Sequence, residues 1–294
     1  MIIKVLIGVT IVLLVAYIIY LGRDLYQHRS MIFKENGNFF LQGLFALFVQ
    51  FCAVLGFSDF ALNTPVYRAT KWVDDARLPG TLIVGCGVPA ILIAIIYISN
   101  VAVEPLSLIL CIAVQLLGTT VGVRFVTRLP AEKIRLVMGG AIALSAVFVF
   151  LKLIGVLGGQ GGTLIGFSAK QLFIVLPAIF ILSALTMVGF GMKAPSIALF
   201  LTLGLDARTA LLIVLSCCAI GTTNGAFRYI KSGRFQRKVV LASSIFGVIG
   251  VVIGSFFVQA LNVDVLQWII LALLVYTAIS MLKPKKKSDQ VSEG

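Results

Sequence analysis

Lys193 stands in the stretch Gly189-Phe-Gly-Met-Lys-Ala-Pro195, inside an otherwise unbroken apolar region. Glycine loosens a helix, and proline removes a donor and clashes one turn back, so this stretch predicts a helix break. In lipid, an opened helix survives only where protein buries it or where it lines a wet cavity. A cation there is costly if it faces lipid. A broken helix beside a cation near mid-depth is how transporters build solute sites, and the half-helix N-termini favour an anion. Gly189, Gly191 and Pro195 are the expected break residues, with Lys193 and the adjacent Ser196 as candidate anion contacts.

A second break reads Gly56-Phe-Ser-Asp-Phe-Ala-Leu-Asn-Thr-Pro65. Gly56 and Pro65 bound it. Ser58, Asn63 and Thr64 can either cap exposed helix ends or bind solute oxygens. Asp59 and Lys193 lie three and four residues after their glycines. They can form a buried ion pair that closes the two breaks together. In the functional reading, Lys193 attracts the anion while Asp59 takes up a proton and couples it to transport. A third patch, Ser216-Cys-Cys-Ala-Ile-Gly-Thr-Thr-Asn-Gly225, offers Thr222 and Asn224 as solute contacts, against the plain role of close helix packing. Cys217 and Cys218 there could touch a sulfur-containing solute as thiols.

The elements that position these residues follow from composition. The 294 residues are 60% hydrophobic and 12% charged, with mean hydropathy +1.09. A soluble domain carries about 25% charged residues. Apolar runs long enough to cross the bilayer recur from end to end, so the chain is an all-α polytopic membrane protein. The net charge of +13 sits in short loops between spans, which points to cytoplasmic loops and against nucleic acid. All five cysteines lie in apolar segments and His28 is the single histidine, which gives no metal set, no disulfide framework and no cofactor motif. Catalytic constellations are absent too, so an enzyme is not expected.

The first span, Ile2–Leu21, is longer than a signal-peptide core and lacks a cleavage motif, so it reads as a retained anchor. With its loop it forms region 1–37. A first repeat follows over 38–157, with apolar segments Phe39–Phe57, Ala61–Tyr67, Thr81–Ile98, Pro105–Val123 and Ile134–Ile154. A Gly-rich linker, 158–170, precedes a second repeat over 171–282, with Leu172–Val188, Pro195–Leu205, Thr209–Ala226, Val239–Gln259 and Val265–Leu282. A basic tail, 283–294, closes the chain. The repeats share landmarks. Gly118-x-x-x-Gly122 comes 62 residues after Gly56, and Gly250-x-x-x-Gly254 comes 61 after Gly189. Phe125-Val126 matches Phe257-Val258, and Leu129 matches Leu261.

Loop charge then orients the copies. In the first, the loop Ser99–Glu104 before the Gly118 helix has no Lys or Arg, whereas Arg124, Arg128, Lys133 and Arg135 follow it. In the second, Arg228, Lys231, Arg234, Arg237 and Lys238 come before the Gly250 helix, and Gln259–Asp264 after it has none. Because Lys and Arg collect on the cytoplasmic side, the repeats are inverted. The expectation is one N-terminal span plus two inverted repeats of about five helical segments each, with broken helices at the midplane. The N-terminus is then outside and the C-terminus cytoplasmic.

Gly189-x-Gly-x-x-x-Pro195, Leu203-Gly204-Leu205 with Ala210, Lys231-Ser-Gly233 and Gly247-x-x-Gly250-x-x-x-Gly254 occur in that order. Together they resemble the sulfite exporter TauE/SafE family of permeases. Gly56 and Pro65 keep the spacing of its first Gly-rich break, and the similarity covers about residues 38–282. Where the family commonly has a run of glycines this chain has Ser58-Asp59-Phe60 and Met192-Lys193, and Val214 stands where a serine is usual. The resemblance implies export or exchange of sulfite, sulfoacetate or related organosulfur anions across the bacterial inner membrane.

The combined expectation is a secondary transporter of a small anion working by alternating access. Its partners are the lipid bilayer, the anionic solute and protons, and no nucleotide-binding motif supplies energy. An anion channel and a non-transporting membrane scaffold are the alternatives, and the oligomeric state is open.

Overall fold

The computed structural model describes residues 2–126, 128–156 and 162–257, with positions 275 and 279 beyond them. Those two positions apart, the segment expected at Val265–Leu282 lies outside the described residues, as do the tail, Val258, Leu261 and part of the Gly-rich linker. Within them the fold is helical: α1 (Ile2–Gln27), α2 (Arg29–Ile32), α3 (Phe39–Val54), α4 (Asp59–Ala69), α5 (Leu78–Gly85), α6 (Gly87–Asn100), α7 (Pro105–Val126), α8 (Ala131–Leu153), α9 (Ala169–Thr186), α10 (Lys193–Thr202), α11 (Ala207–Ser232) and α12 (Arg237–Phe257). Among the described residues six stretches are long and apolar enough to cross a membrane: α1, α5 with α6, α7, α9, α11 and α12. The chain is a multi-pass membrane protein.

Local chemistry sets the boundaries. Asn38 Oδ1 accepts from the N–H groups of Phe40 and Leu41 at the start of α3. Asp206 does the same for Arg208 and Thr209 at the start of α11, and Ser168 and Gln171 close a capping box on α9. Gly233 ends α11 in the left-handed conformation, φ +67°.

Three expectations are corrected. Pro65 lies inside α4 and Pro195 in the first turn of α10, so neither proline bounds a break. First-turn N–H groups lack intrahelical partners, and a proline at Pro195 therefore costs no helical bond. The span expected at Thr81–Ile98 is present as Leu78–Asn100, with α5 and α6 joined by a turn at Cys86. The loop expected after the first span, Ile2–Leu21, is partly helical, because α1 continues to Gln27 and Asp24 is held by Arg237, Nε to Oδ2 2.8 Å.

The centre of the fold is the pair formed by α5–α6 and α11. Their apolar windows are 78% and 83% buried, against 17% for the peripheral α1. The pair runs antiparallel: Thr209 Oγ1, at the start of α11, donates to the carbonyl of Ala102 just past α6. At the other end the N–H of Gln236 donates to Thr81 Oγ1 near the start of α5.

Two close helix pairs flank this centre, α3 with α12 and α7 with α9. Both rest on glycines without room for a side chain. A Cβ on Gly118 or Gly122 would lie 2.5 Å from the Phe180 oxygen or 2.4 Å from the Ala184 oxygen of α9. On Gly250 or Gly254 it would lie 2.1 Å from the Leu47 oxygen or 2.9 Å from the Phe51 oxygen of α3. Small-xxx-small spacing thus seats backbone on backbone at both interfaces.

Candidate functional site

The site starts where α3 and α9 stop. After Val54 the chain turns through Gly56 at φ +91°, and after Thr186 it turns through Gly189 at φ +96°. L side chains rarely adopt that backbone region. Gly189→Ala also brings a Cβ within 2.8 Å of Met138 Cε. The substitution is expected to cost on the order of 1–2 kcal/mol, read as a lower melting temperature in detergent. An unchanged melt would show that this turn is not required.

A helix that stops inside protein leaves carbonyls without partners. Each break meets this with a buried tyrosine. Tyr97, three residues before the end of α6, donates from its hydroxyl to the Val54 carbonyl at 2.8 Å. Tyr229, three residues before the end of α11, donates to the Met187 carbonyl at 2.9 Å. Because α6 and α11 run in opposite directions, the two bonds lie toward opposite ends of the central pair.

Between them the chain re-enters helix twice, at Asp59 and at Lys193, and these two first residues meet. Lys193 Nζ donates to Asp59 Oδ1 at 2.9 Å and to the Phe57 carbonyl at 3.2 Å. Both residues are buried, with 8% and 6% relative exposure. Asp59 is well placed at the positive end of α4, whereas Lys193 faces the like-signed end of α10. Lys193 is therefore held by its two oxygen partners, and any anion that reaches it competes with Asp59.

The pair borders a small cavity of about 20 Å³, room enough for a water. Ser58, Asp59, Gly191 and Lys193 line it from the two breaks, and Thr222 with Cys218 lines it from α11. Asn63, Thr64 and Ser196 are buried on α4 and α10 without lining it. Thr64 donates to the Phe60 carbonyl, while Asn63 Oδ1 and Ser196 Oγ have no hydrogen-bond partner among the described residues. Asn224 is placed elsewhere: its amide donates to Thr120 Oγ1 at 2.8 Å and ties α11 to α7. Cys217 does not line the cavity either.

Sequence reasoning missed Phe60, Cys86, Ala90, Thr186, Phe190 and Met192, which also line it. A signal existed for Cys86, which precedes Cys218 by 132 residues, the same offset as Gly118 to Gly250.

A family profile described as sulfite exporter TauE/SafE matches residues 146–293, half of the chain. The chain belongs to the sulfite exporter TauE/SafE family. No curated protein and no solved structure matches it. The TauE/SafE match covers the second break, Lys193, Cys218 and Thr222, and membership makes the chain a membrane transporter. Asp59 and Cys86 come from the half outside the match. In this TauE/SafE protein the matched half thus supplies the cation and the other half its counter-ion.

Proposed function

We propose that the protein is a secondary transporter of sulfite or a closely related organosulfur anion such as sulfoacetate, working by alternating access across the bacterial inner membrane. The observation that carries this reading is the buried Lys193–Asp59 pair between the N-termini of α4 and α10, beside a cavity. Two positive helix ends and an ammonium form an anion site, and Asp59 keeps it neutral when no solute is bound. Protonation of Asp59 frees Lys193 for the anion, so that a proton travels with the solute. Ser58 and Thr222 border the path of the anion, while Asn63 and Ser196 supply polar capacity one turn further along α4 and α10.

The working parts are two inverted repeats. Support comes from the pairs Val54 and Met187, Gly56 and Gly189, Cys86 and Cys218, Tyr97 and Tyr229, and Gly118 and Gly250, each 132 or 133 residues apart. It comes also from the matching partners of α3 with α12 and α9 with α7. The loop charges put the N-terminus outside and the C-terminus in the cytoplasm. Tilting of one repeat against the other would open the small cavity to either side.

The test is counterflow in proteoliposomes. Vesicles loaded with unlabelled sulfite are expected to accumulate radiolabelled sulfite, with saturation and with acceleration by an inward-acid pH step. Uptake that rises without saturation would indicate a channel. Uptake equal to that of protein-free vesicles would reject the reading.

A further inference from the structure

The cavity has two unlike walls. One is hard and charged: the Lys193 ammonium at the start of α10 beside Asp59 at the start of α4. The other is soft, built from Cys86 and Cys218 with Phe60, Phe190 and Met192. Symmetry sharpens the contrast, because Phe60 corresponds in register to Lys193 and Met192 to Asp59. Each break therefore contributes one charged and one apolar or thioether side chain.

The soft wall is poor in donors. Thr222 and Thr186 give their hydroxyl hydrogens to the carbonyls of Cys218 and Leu182, one turn back in their own helices. Cys86 Sγ lies 3.3 Å from the Ile83 carbonyl and within hydrogen-bond reach of Thr222, whose one hydroxyl hydrogen is already given to the Cys218 carbonyl, and the Cys218 thiol makes no hydrogen bond among the described residues. A thiol is a weak donor with a polarisable sulfur. Such a wall suits an exposed sulfur and leaves an anionic oxygen unmet.

We infer that Cys86 and Cys218 form a specificity-determining wall that admits oxyanions with a sulfur pole, sulfite through its lone pair and thiosulfate through its terminal sulfur, and rejects sulfate. Sulfate presents oxygen in every direction, so when one face binds Lys193 another must press on the thiols. An unmet oxygen there costs about tenfold in affinity or more. The inference rests on the transport reading above and adds the basis of its selectivity.

Counterflow of radiolabelled sulfite is measured against unlabelled thiosulfate or sulfate, for the wild type and for Cys86→Ser and Cys218→Ser. In the wild type thiosulfate is expected to compete and equimolar sulfate is not. Each serine variant places a stronger donor on the wall, and sulfate is expected to compete about tenfold better. Should a serine variant fail to fold, Cys218→Ala serves: it is expected to lose sulfite affinity and still to ignore sulfate. Sulfite and sulfate are also compared as thermal stabilisers of the purified protein, where the shift reports binding without transport. Serine variants that move sulfite with unchanged rejection of sulfate would overturn the wall and leave the transport reading standing. A wild type that neither moves sulfite nor is stabilised by it would overturn both.

Discussion

Lys193→Met is expected to lower sulfite transport about 100-fold, because the contact between an ammonium and an oxyanion in a buried site is worth roughly 1.5–3 kcal/mol and no other cation among the described residues lines the cavity. The single change also leaves Asp59 buried without its partner, which costs about 3–5 kcal/mol and can unfold the protein. Lys193→Met combined with Asp59→Asn removes both charges at nearly constant volume, so folding and transport can be read separately. The double variant is expected to fold, to elute from size-exclusion chromatography as the wild type does, and to move no sulfite. Wild-type transport by that variant would reduce the pair to a structural bolt between the breaks. Asp59→Asn alone gives the complementary result: Lys193 loses its internal competitor, sulfite binds more tightly, and uptake no longer responds to a pH step.

Much of this site is visible in the sequence, because its ingredients are improbable in lipid. Glycine and a charge inside a long apolar run need a reason, and Gly56, Asp59, Gly189 and Lys193 each stand out against their neighbours. What the sequence hides depends on which face of a helix looks inward. α11 is buried all round, so it has no polar stripe from which a facing could be read. Thr222 and Asn224, two residues apart, look alike in sequence, yet one borders the cavity and the other binds α7. Cys86 reads as one more apolar residue in a span, and only its register with Cys218 marks it. The prolines mislead for a different reason. Proline is costly where it removes a helical bond, but at Pro195 there is no such bond to remove, and α4 absorbs Pro65 within a buried segment.

The phenols of Tyr97 and Tyr229 yield the last prediction. Each serves a buried carbonyl two residues before a positive-φ glycine, and deleting a hydroxyl there leaves that carbonyl unmet at a cost of about 1–3 kcal/mol. The cost falls only on conformations in which that latch is closed. Because the latches lie toward opposite ends of an antiparallel helix pair, a rocking motion that opens one face must loosen one of them while the other holds. Tyr97→Phe should therefore favour opening at the face where α6 ends, and Tyr229→Phe opening at the face where α11 ends. Each shift is about tenfold in population, since roughly 1.4 kcal/mol moves an equilibrium by that factor. Cys218, on the cavity wall, reports the change in a background where the other four cysteines are alanine. A membrane-impermeant thiol reagent, applied without solute to right-side-out and to inside-out vesicles, should label the two variants faster from opposite faces, and the double variant should return toward the wild-type ratio. If both single variants label faster from both faces alike, the tyrosines only hold the fold together, and the breaks are not the hinges of alternating access.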